Sequence, residues 1–187
     1  MNDFFNVILT LILLIFFMPL IVLIYVILKI SSVNENPIFV SKRFGQNNKL
    51  FDMYKFRTMK TGSPQIDTNN FKDSKKYITK LGKFLRTYSL DELPQLFCIL
   101  RRDMNLIGPR PALFTQKDLI LMRTNLQIDY LKPGITGYAQ INGRDKMSLH
   151  EKVNLEKFYM DNKSILLDIK ILFSTVFYIF KTTSIKH

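Results

Sequence analysis

The chain has 187 residues, about the length of one domain. Its 27 lysines and arginines outnumber its 15 aspartates and glutamates, so the formal net charge is +12. Such a charge indicates an anionic partner, namely lipid headgroups, phosphorylated substrates or nucleic acid. A single cysteine, Cys98, excludes an internal disulfide and a multi-cysteine metal site, and its apolar neighbours predict a buried, unreactive thiol. The two histidines, His150 and His187, are too few and too scattered for a metal cluster.

The first element is a long apolar stretch near the N-terminus. Residues 4–28 include no charged side chain, and as a helix these 25 residues would reach about 37 Å, enough to cross a bilayer. The stretch is too long for the core of a signal peptide and has no small-residue cleavage site, so we expect it to remain on the protein. We therefore expect a membrane-embedded segment over residues 1–30 and a membrane-associated domain over residues 31–187.

Pro19 lies near the middle of this stretch and leaves two topologies open. A proline inside a helix removes one backbone hydrogen bond and bends the helix. A sharp bend would let the segment enter the membrane, turn and leave by the same face, as a re-entrant helix. A straight helix of this length would instead span the bilayer, and the residues alone do not choose between the two.

A short β-hairpin is predicted next. A short strand over residues 38–40 is followed by a polar loop over residues 45–48 and an aromatic-rich strand over residues 50–57. Lys55 and Arg57 are two residues apart, so on a strand they would project from one face. They could form a clamp for phosphate or belong to an ordinary solvated face.

Three further segments have helical character. Residues 71–86 are strongly basic with apolar side chains at helical intervals, which predicts a surface lying against anionic lipid. Nucleic acid is the competing partner for this surface, and the membrane-embedded start favours lipid. Residues 147–161 are predicted to form a helix of mixed polarity. Residues 165–180 are largely apolar but interrupted by Asp168 and Lys170, which favours an interfacial helix or one packed on the domain.

Two adjacent acids, Asp91 and Glu92, lie between cationic segments. Ser89 followed three residues later by Glu92 is the pattern of a capping box, whereas Pro94 favours a helix that begins nearer Asp91, with Asp91 as the cap. Either way the acids would lie in a first helical turn, where free N–H groups and a partial positive charge suit a reactive carboxylate and an incoming phosphate. The plainer alternative is that both acids merely begin a helix.

Arg110 stands between two prolines, Pro109 and Pro111, which predicts a stiff loop. Its planar guanidinium suits phosphate oxygens or a planar base edge. A second glycine-rich region, over residues 132–144, matches neither the P-loop nor the dinucleotide-binding fingerprint.

Several motifs together carry a resemblance to a known family. They are the interrupted apolar N-terminus, KFRTM at 55–59, LDELPQ at 90–95, DM at 103–104, GPRP at 108–111, KPGITG at 132–137 and LD at 167–168. In this order they resemble the bacterial sugar transferase family, the monotopic phosphoglycosyl transferases that begin lipid-linked glycan assembly, over the chain from about Phe4 to Phe180. The resemblance implies an α/β fold with a kinked re-entrant membrane helix and a small, mainly helical domain that carries a short β-hairpin and interfacial amphipathic helices. It also implies a place at the cytoplasmic face of the bacterial inner membrane.

The resemblance further implies a reaction. A phosphosugar would pass from a UDP-sugar, with an N-acetylated amino sugar favoured, to undecaprenyl phosphate, and UMP would be released. Asp91 would be the nucleophile that forms a covalent phosphosugar intermediate, with Glu92 as a supporting acid or a base, and Mg²⁺ would be held at both. The substrate-binding residues implied are Arg86, Arg110, Lys55, Arg57 and Pro111.

The resemblance also allows protein partners, either downstream glycosyltransferases or a second copy of the chain, and nucleic acid is not expected. One departure touches the topology, because Met18 precedes Pro19 where relatives usually have serine. The rival is a catalytically inactive, membrane-anchored protein that binds anionic lipid or phosphorylated partners. It explains the charge and the apolar segment but not the clustered acids and the Arg110 loop.

Overall fold

A computed structural model describes residues 3–31, 35–63, 74–143 and 147–181. The described helices are α1 (Asp3–Ser31), α2 (Ser74–Tyr77), α3 (Lys80–Thr87), α4 (Gln95–Leu100), α5 (Lys117–Asn125), α6 (Tyr138–Asn142), α7 (Leu149–Asp161) and α8 (Ile165–Lys181). The described strands are β1 (Ile38–Phe44), β2 (Leu50–Phe56), β3 (Asn105–Ile107), β4 (Ala112–Leu113) and β5 (Gly134–Thr136). The expectations for residues 71–73, Arg144 and His187 fall outside the described residues.

The predicted hairpin is confirmed. Strands β1 and β2 pair antiparallel from Ile38 opposite Phe56 to Phe44 opposite Leu50, and the amide of Gly45 closes the loop by donating to the Lys49 carbonyl at 2.8 Å. The first strand is longer than the predicted residues 38–40, because its far end pairs on both sides. Strand β4 joins the open edge of β1 and gives a three-stranded sheet in the order β2-β1-β4.

A second, two-stranded sheet was not predicted. Strands β3 and β5 run parallel, with Asn105 opposite Gly134 and Ile107 opposite Thr136. The two backbones approach so closely that a Cβ atom on Gly134 would lie 2.1 Å from the Gly108 amide nitrogen. Glycine is therefore required at residue 134. Because both strands end at the same edge, the loop over residues 108–111 lies beside residues 137–138.

Helix α1 packs against the domain through one face. Its buried side chains form one face and are Asn6, Thr10, Leu14, Ile21, Ile24 and Leu28. This face contacts α4 and β3, and its apolar members share one hydrophobic core with residues of β2, α4 and β3. Helix α1 therefore shares its hydrophobic core with the domain that follows it.

The opposite face of α1 is apolar and exposed, from Phe4 to Ile30. By length and composition α1 is the one helix among the described residues that could cross a membrane, with a mean hydropathy of 3.3 in its best window. Pro19 lies inside this helix, which runs from Asp3 to Ser31 without a break. The bend and the re-entrant path stay predictions.

Polar contacts fasten the N-terminal end of α1 to the domain. The side-chain carbonyl of Asn6 accepts a hydrogen bond from the Leu106 amide at 3.1 Å, and the Thr10 hydroxyl donates to the Asn6 carbonyl at 2.7 Å. The Asp3 carboxylate pairs with the Lys132 ammonium at 2.7 Å. The buried amide and hydroxyl are thus satisfied, as an apolar environment requires.

The two acids lie in a first helical turn, as predicted, but the turn is 3₁₀ and the predicted capping box is wrong. Ser89 has a left-handed backbone (φ 55°) and makes no side-chain capping bond, so it forms no capping box with Glu92. Residues Leu90–Glu92 form a 3₁₀ turn, and α4 begins only at Gln95. Pro94 explains the later start, because it lacks an amide hydrogen and precedes the first α-helical turn.

The C-terminal helices agree with the sequence. Helix α7 begins after Ser148, which forms a reciprocal capping box with Glu151. Helix α8 buries Asp168 and Ile171 against the domain. Its outer face is apolar and exposed at Ile165, Leu166, Ile169, Phe173, Val176 and Phe177. Helix α8 is therefore packed on the domain, and its contact with lipid stays a prediction.

Candidate active site

Four elements bring the acids and the cations together. The 3₁₀ turn after α3 carries Asp91 and Glu92, strand β2 carries Lys55, and the loop between β3 and β4 carries Arg110. Arg86 lies in the last turn of α3. In the loop that was expected to be stiff, Arg110 is exposed between two buried prolines.

Glu92 is held by two cations. One oxygen of its carboxylate, Oε1, accepts from Lys55 Nζ at 2.6 Å and from Arg110 Nη2 at 2.9 Å. The side chains of Lys55 and Glu92 are only 17% and 15% exposed, whereas that of Arg110 is 45% exposed. Arg110 therefore reaches solvent, while Lys55 is a largely buried partner of Glu92.

Asp91 differs from its neighbour. The residue is 7% exposed, and no described residue makes a hydrogen bond to its carboxylate. The contrast separates the two acids. Glu92 is paired with two side chains of the protein, and the Asp91 carboxylate makes no hydrogen bond with the described residues.

The electrostatics sharpen this contrast. Burial raises the pKa of Asp91 and the charge on Glu92 adds to the effect, while Lys55, Arg86 and Arg110 oppose it. Burial alone would also raise the pKa of Glu92, but Arg110 and Lys55 outweigh burial and hold that pKa well below its usual range. Burial lowers the pKa of the Lys55 ammonium against the pull of Glu92. Ionised Asp91 would therefore be stabilised by a further cation.

The donor set fits Mg²⁺ at Asp91. Among the described residues, no three histidine, cysteine, aspartate or glutamate side chains lie close enough together to hold a metal ion. Mg²⁺ does not need such a cage, because it commonly uses one or two carboxylates together with substrate phosphates and water. The open carboxylate of Asp91 suits that role. Glu92 suits it less, because the Oε1 atom already accepts from two cations.

Arg57 lies outside this group. Its Nε donates to the Asn36 carbonyl at 2.7 Å, and its guanidinium lies 5.8 Å from the centre of the Phe39 ring. Strand β2 ends at Phe56, so the alternation that would put Lys55 and Arg57 on one face does not continue to Arg57. The structure brings Lys55 to the acids and directs Arg57 to the segment before β1.

A buried ion pair behind the Arg110 loop was missed in the sequence. Arg123 in α5 donates two hydrogen bonds to Glu156 in α7, Nε to Oε2 at 2.8 Å and Nη2 to Oε1 at 2.6 Å. Glu156 also lines a cleft of about 190 Å³ with Arg110 and Tyr138. Oppositely charged residues on two otherwise packed helices are the only signal, and their sequence separation of 33 residues hides the pairing.

The Tyr159 hydroxyl provides a second buried contact in this region. It donates to Asp168 at 2.7 Å, which joins α7 to α8, and burial raises the pKa of this tyrosine above its usual range. Tyr159 lines the same cleft as Arg110. The cleft is thus bounded by residues of α6 and α7 as well as by the Arg110 loop.

The fold and the site together define a class of protein. It combines a small domain packed against an apolar helix with a site of carboxylates and arginines suited to phosphorylated substrates. The sequence model of the bacterial sugar transferase family matches residues 1–182. The chain therefore belongs to that family, as its motifs predicted, and the expectation of an enzyme of the phosphoglycosyl transferase type is confirmed. The apolar helix agrees with association with a membrane.

Three curated relatives show how far the similarity extends. The chain is 44% identical to the uncharacterized sugar transferase EpsL of Bacillus subtilis, over 80% of this chain and 71% of the relative. It is 37% identical to the undecaprenyl-phosphate glucose phosphotransferase of Komagataeibacter xylinus, over 84% of this chain and 32% of the relative. It is 35% identical to the undecaprenyl-phosphate galactose phosphotransferase of Salmonella typhimurium, over 91% of this chain and 38% of the relative. The chain thus spans only about a third of the two relatives with an assigned sugar.

Proposed function

We propose that this protein transfers a sugar 1-phosphate from a UDP-sugar to undecaprenyl phosphate, in two steps through a phosphosugar bound to Asp91. The observation that carries the proposal is the division between the two acids. Glu92 is neutralised by Lys55 and Arg110, whereas Asp91 is buried with no hydrogen bond to its carboxylate from the described residues. A carboxylate without such partners is available as a nucleophile.

In the first step an oxygen of Asp91 attacks the phosphorus that bears the sugar. The bond from this phosphorus to the oxygen of the UMP portion breaks, its electron pair stays on that oxygen, and UMP leaves. Arg110 and Arg86 bind the diphosphate and stabilise the charge that develops on the leaving phosphate. When Mg²⁺ is bound at Asp91, it would reduce the repulsion between the carboxylate and the diphosphate.

In the second step a phosphate oxygen of the lipid attacks the same phosphorus. The bond to Asp91 breaks, the electron pair returns to the carboxylate, and a lipid-linked sugar diphosphate forms. The lipid phosphate needs no deprotonation by a strong base. A glutamate whose pKa is held well below its usual range is a weak base, so we assign Glu92 to the positioning of Lys55 and Arg110.

The relatives support the acceptor more than the sugar. Relatives of this chain carry the names of undecaprenyl-phosphate glucose and galactose phosphotransferases, and another is named for UDP-N-acetylgalactosamine. These names share the lipid and differ in the sugar. We favour an N-acetylated amino sugar on UDP from the family resemblance of the motifs.

We further propose that α1 is re-entrant and that the domain lies on the cytoplasmic face. Asp3 at one end of α1 pairs with Lys132 and Leu28 at the other end is buried in the domain, which supports both ends lying on one side. The positive-inside rule puts the basic domain in the cytoplasm.

The reaction is tested by UMP release. The protein in nanodiscs is incubated with Mg²⁺, undecaprenyl phosphate and each member of a panel of UDP-sugars. We expect UMP release that depends on the lipid over many turnovers with at least one N-acetylated amino sugar. Release of UMP with none of the panel would favour the rival, a protein that binds anionic lipid or phosphorylated partners without chemistry.

A further inference from the structure

A cleft of about 630 Å³ lies away from the two acids, at the C-terminal end of α1. It is larger than the cleft beside Arg110. Its apolar wall comes from Leu28, Pro37, Met59 and Leu81, and its cationic side chain is Arg57. We call it the Arg57 cleft.

Arg57 is positioned to bind an anion in this cleft. Its Nε holds the Asn36 carbonyl, and no other described residue makes a hydrogen bond to its guanidinium. Glu35 also lines the cleft, but its carboxylate accepts from the Thr61 amide at 3.1 Å and the Thr61 hydroxyl at 2.6 Å. Both bonds end on one oxygen of Glu35, whose charge also attracts Arg57, but no hydrogen bond joins the two side chains. The terminal N–H groups of Arg57 are therefore left for an external acceptor.

The position of the cleft matches a lipid with an anionic head. Leu28 and Ser31 belong to the last turns of the apolar helix, and the nearby Ile27 and Ile30 are exposed on it. The cleft therefore lies where the exposed apolar face of α1 meets the domain. An apolar wall beside one arginine suits an amphiphile whose chain contacts the wall and whose phosphate contacts the guanidinium.

Two elements connect the Arg57 cleft to the acids. The backbone around β2 carries Lys55, which holds Glu92, and two residues later Arg57. Helix α3 carries Leu81 in the cleft and Arg86 near Asp91, about 7.5 Å apart along the helix axis. Strand β2 and helix α3 therefore each run from the cleft to residues that contact or face the acids.

We propose that the Arg57 cleft binds the acceptor lipid, with Arg57 on the phosphate of the polyprenol phosphate and the apolar wall on its first isoprene units. This inference rests on the proposed function and names the site of its second substrate. It assigns Arg57, one of the substrate-binding residues that the family resemblance implies, to the lipid. The nucleotide sugar and the lipid phosphate then reach Asp91 from different sides.

The two half-reactions separate the roles. With UDP-sugar alone, protein in nanodiscs should form the phosphosugar adduct and release UMP, and the acceptor is then added at increasing concentrations. Arg57→Gln should raise the KM for polyprenol phosphate about tenfold or more, since a charge-assisted hydrogen bond is lost. The rate of adduct formation should change less than about twofold, because Arg57 does not touch the acids.

Further variants keep the test decisive. Arg57→Lys should restore part of the acceptor affinity, and Leu81→Trp, which fills the cleft, should weaken it with Arg57 intact. Lys42→Gln removes an exposed charge from the same hairpin and should leave both half-reactions unchanged. Thermal unfolding identifies a variant that fails to fold, and equilibrium binding of polyprenol phosphate gives a readout that needs no turnover.

Three results would overturn the inference. Slower adduct formation by Arg57→Gln at an unchanged acceptor KM would show that Arg57 binds the nucleotide sugar instead. An unchanged acceptor KM with weaker binding to phosphatidylglycerol vesicles would show that an ordinary phospholipid occupies the cleft. No effect of Arg57→Gln on either half-reaction would show that the Arg57 cleft binds neither substrate. Failure of the proposed function is distinguishable, because then the wild-type protein itself forms no adduct.

Discussion

Arg110 illustrates what a single side chain does at this site. Its guanidinium donates to Glu92 at 2.9 Å and is still 45% exposed, so it can also reach a substrate phosphate. Arg110→Lys should lower kcat/KM for the UDP-sugar about 100-fold, because an ammonium lacks the planar, two-pronged set of donors that a guanidinium offers to a phosphate and a carboxylate together. Steady-state kinetics of UMP release measure the loss. Arg102→Lys, at an exposed position outside the site, is the matched control. Near-normal kinetics for Arg110→Lys would show that Arg110 contributes only its positive charge and not its donor geometry.

The sequence predicted that several of these residues lie together but not which of the two acids the cations contact. Asp91, Glu92, Lys55 and Arg110 come together as their motifs indicated. Their roles depend on which carboxylate the cations reach, and that depends on a 3₁₀ turn that the pattern of caps did not predict. For Arg57 the sequence pattern was misleading. Lys55 and Arg57 are two residues apart, but strand β2 ends between them and their side chains reach different parts of the molecule.

Among the elements, α5 and α7 are joined behind the Arg110 loop by the Arg123–Glu156 pair, with side chains only 9% and 3% exposed. Glu156→Gln should lower the free energy of unfolding by about 3 to 5 kcal/mol, because it leaves the Arg123 charge buried without its partner. Chemical unfolding in detergent, followed by circular dichroism, measures the change.

The double variant is the control for this pair. Arg123→Met combined with Glu156→Leu replaces both charges by apolar groups of similar size and should recover most of the lost stability. Lys157→Gln, which removes an exposed ion pair of α7, should cost less than about 1 kcal/mol. If Glu156→Gln costs no more than Lys157→Gln, the buried pair does not hold the helices together.

The elements that the sequence predicted are those with long, regular patterns. The hairpin, α7 and α8 were confirmed, because alternation and helical spacing persist over many residues. Strands β3 and β5 have three residues each, too few for a pattern, and they pair across about 30 residues of chain. That missed pair is what places the Arg110 loop beside residues 137–138.

At the scale of the whole molecule, the apolar stretch and the charge predicted a membrane-associated protein, but not how α1 packs. Three polar residues of α1 were invisible as contacts in the sequence: Asp3, Asn6 and Thr10 bind the domain or satisfy each other. Their partners lie about 100 residues away or more for Asp3 and Asn6, beyond any local pattern.

This packing leads to a prediction on topology. A cysteine at Asn2 should resist an impermeant thiol reagent in intact spheroplasts and react after lysis, because a re-entrant α1 leaves both ends in the cytoplasm. Cys98 is fully buried and gives little background. A cysteine at the exposed Lys163 is the control for the cytoplasmic side. Labelling of the Asn2 position from outside would instead establish a spanning helix.

Pro19 provides the companion variant. Replacement by leucine restores the backbone hydrogen bond and should straighten the helix. If the proline turns the chain, Pro19→Leu should increase labelling at residue 2 from outside. Unchanged protection would show that the contacts of Asp3 and Asn6 with the domain, rather than the proline, hold the N-terminus in place.

The covalent intermediate on Asp91 is the central claim, and intact-mass spectrometry tests it most directly. Wild-type protein, Asp91→Asn and Glu92→Gln are each incubated with UDP-sugar and Mg²⁺ without acceptor lipid. We predict a phosphosugar adduct on the wild type, the same adduct formed more slowly on Glu92→Gln, and none on Asp91→Asn, because an amide cannot attack phosphorus. The same adduct on Asp91→Asn would contradict the claim and assign the nucleophile to another residue.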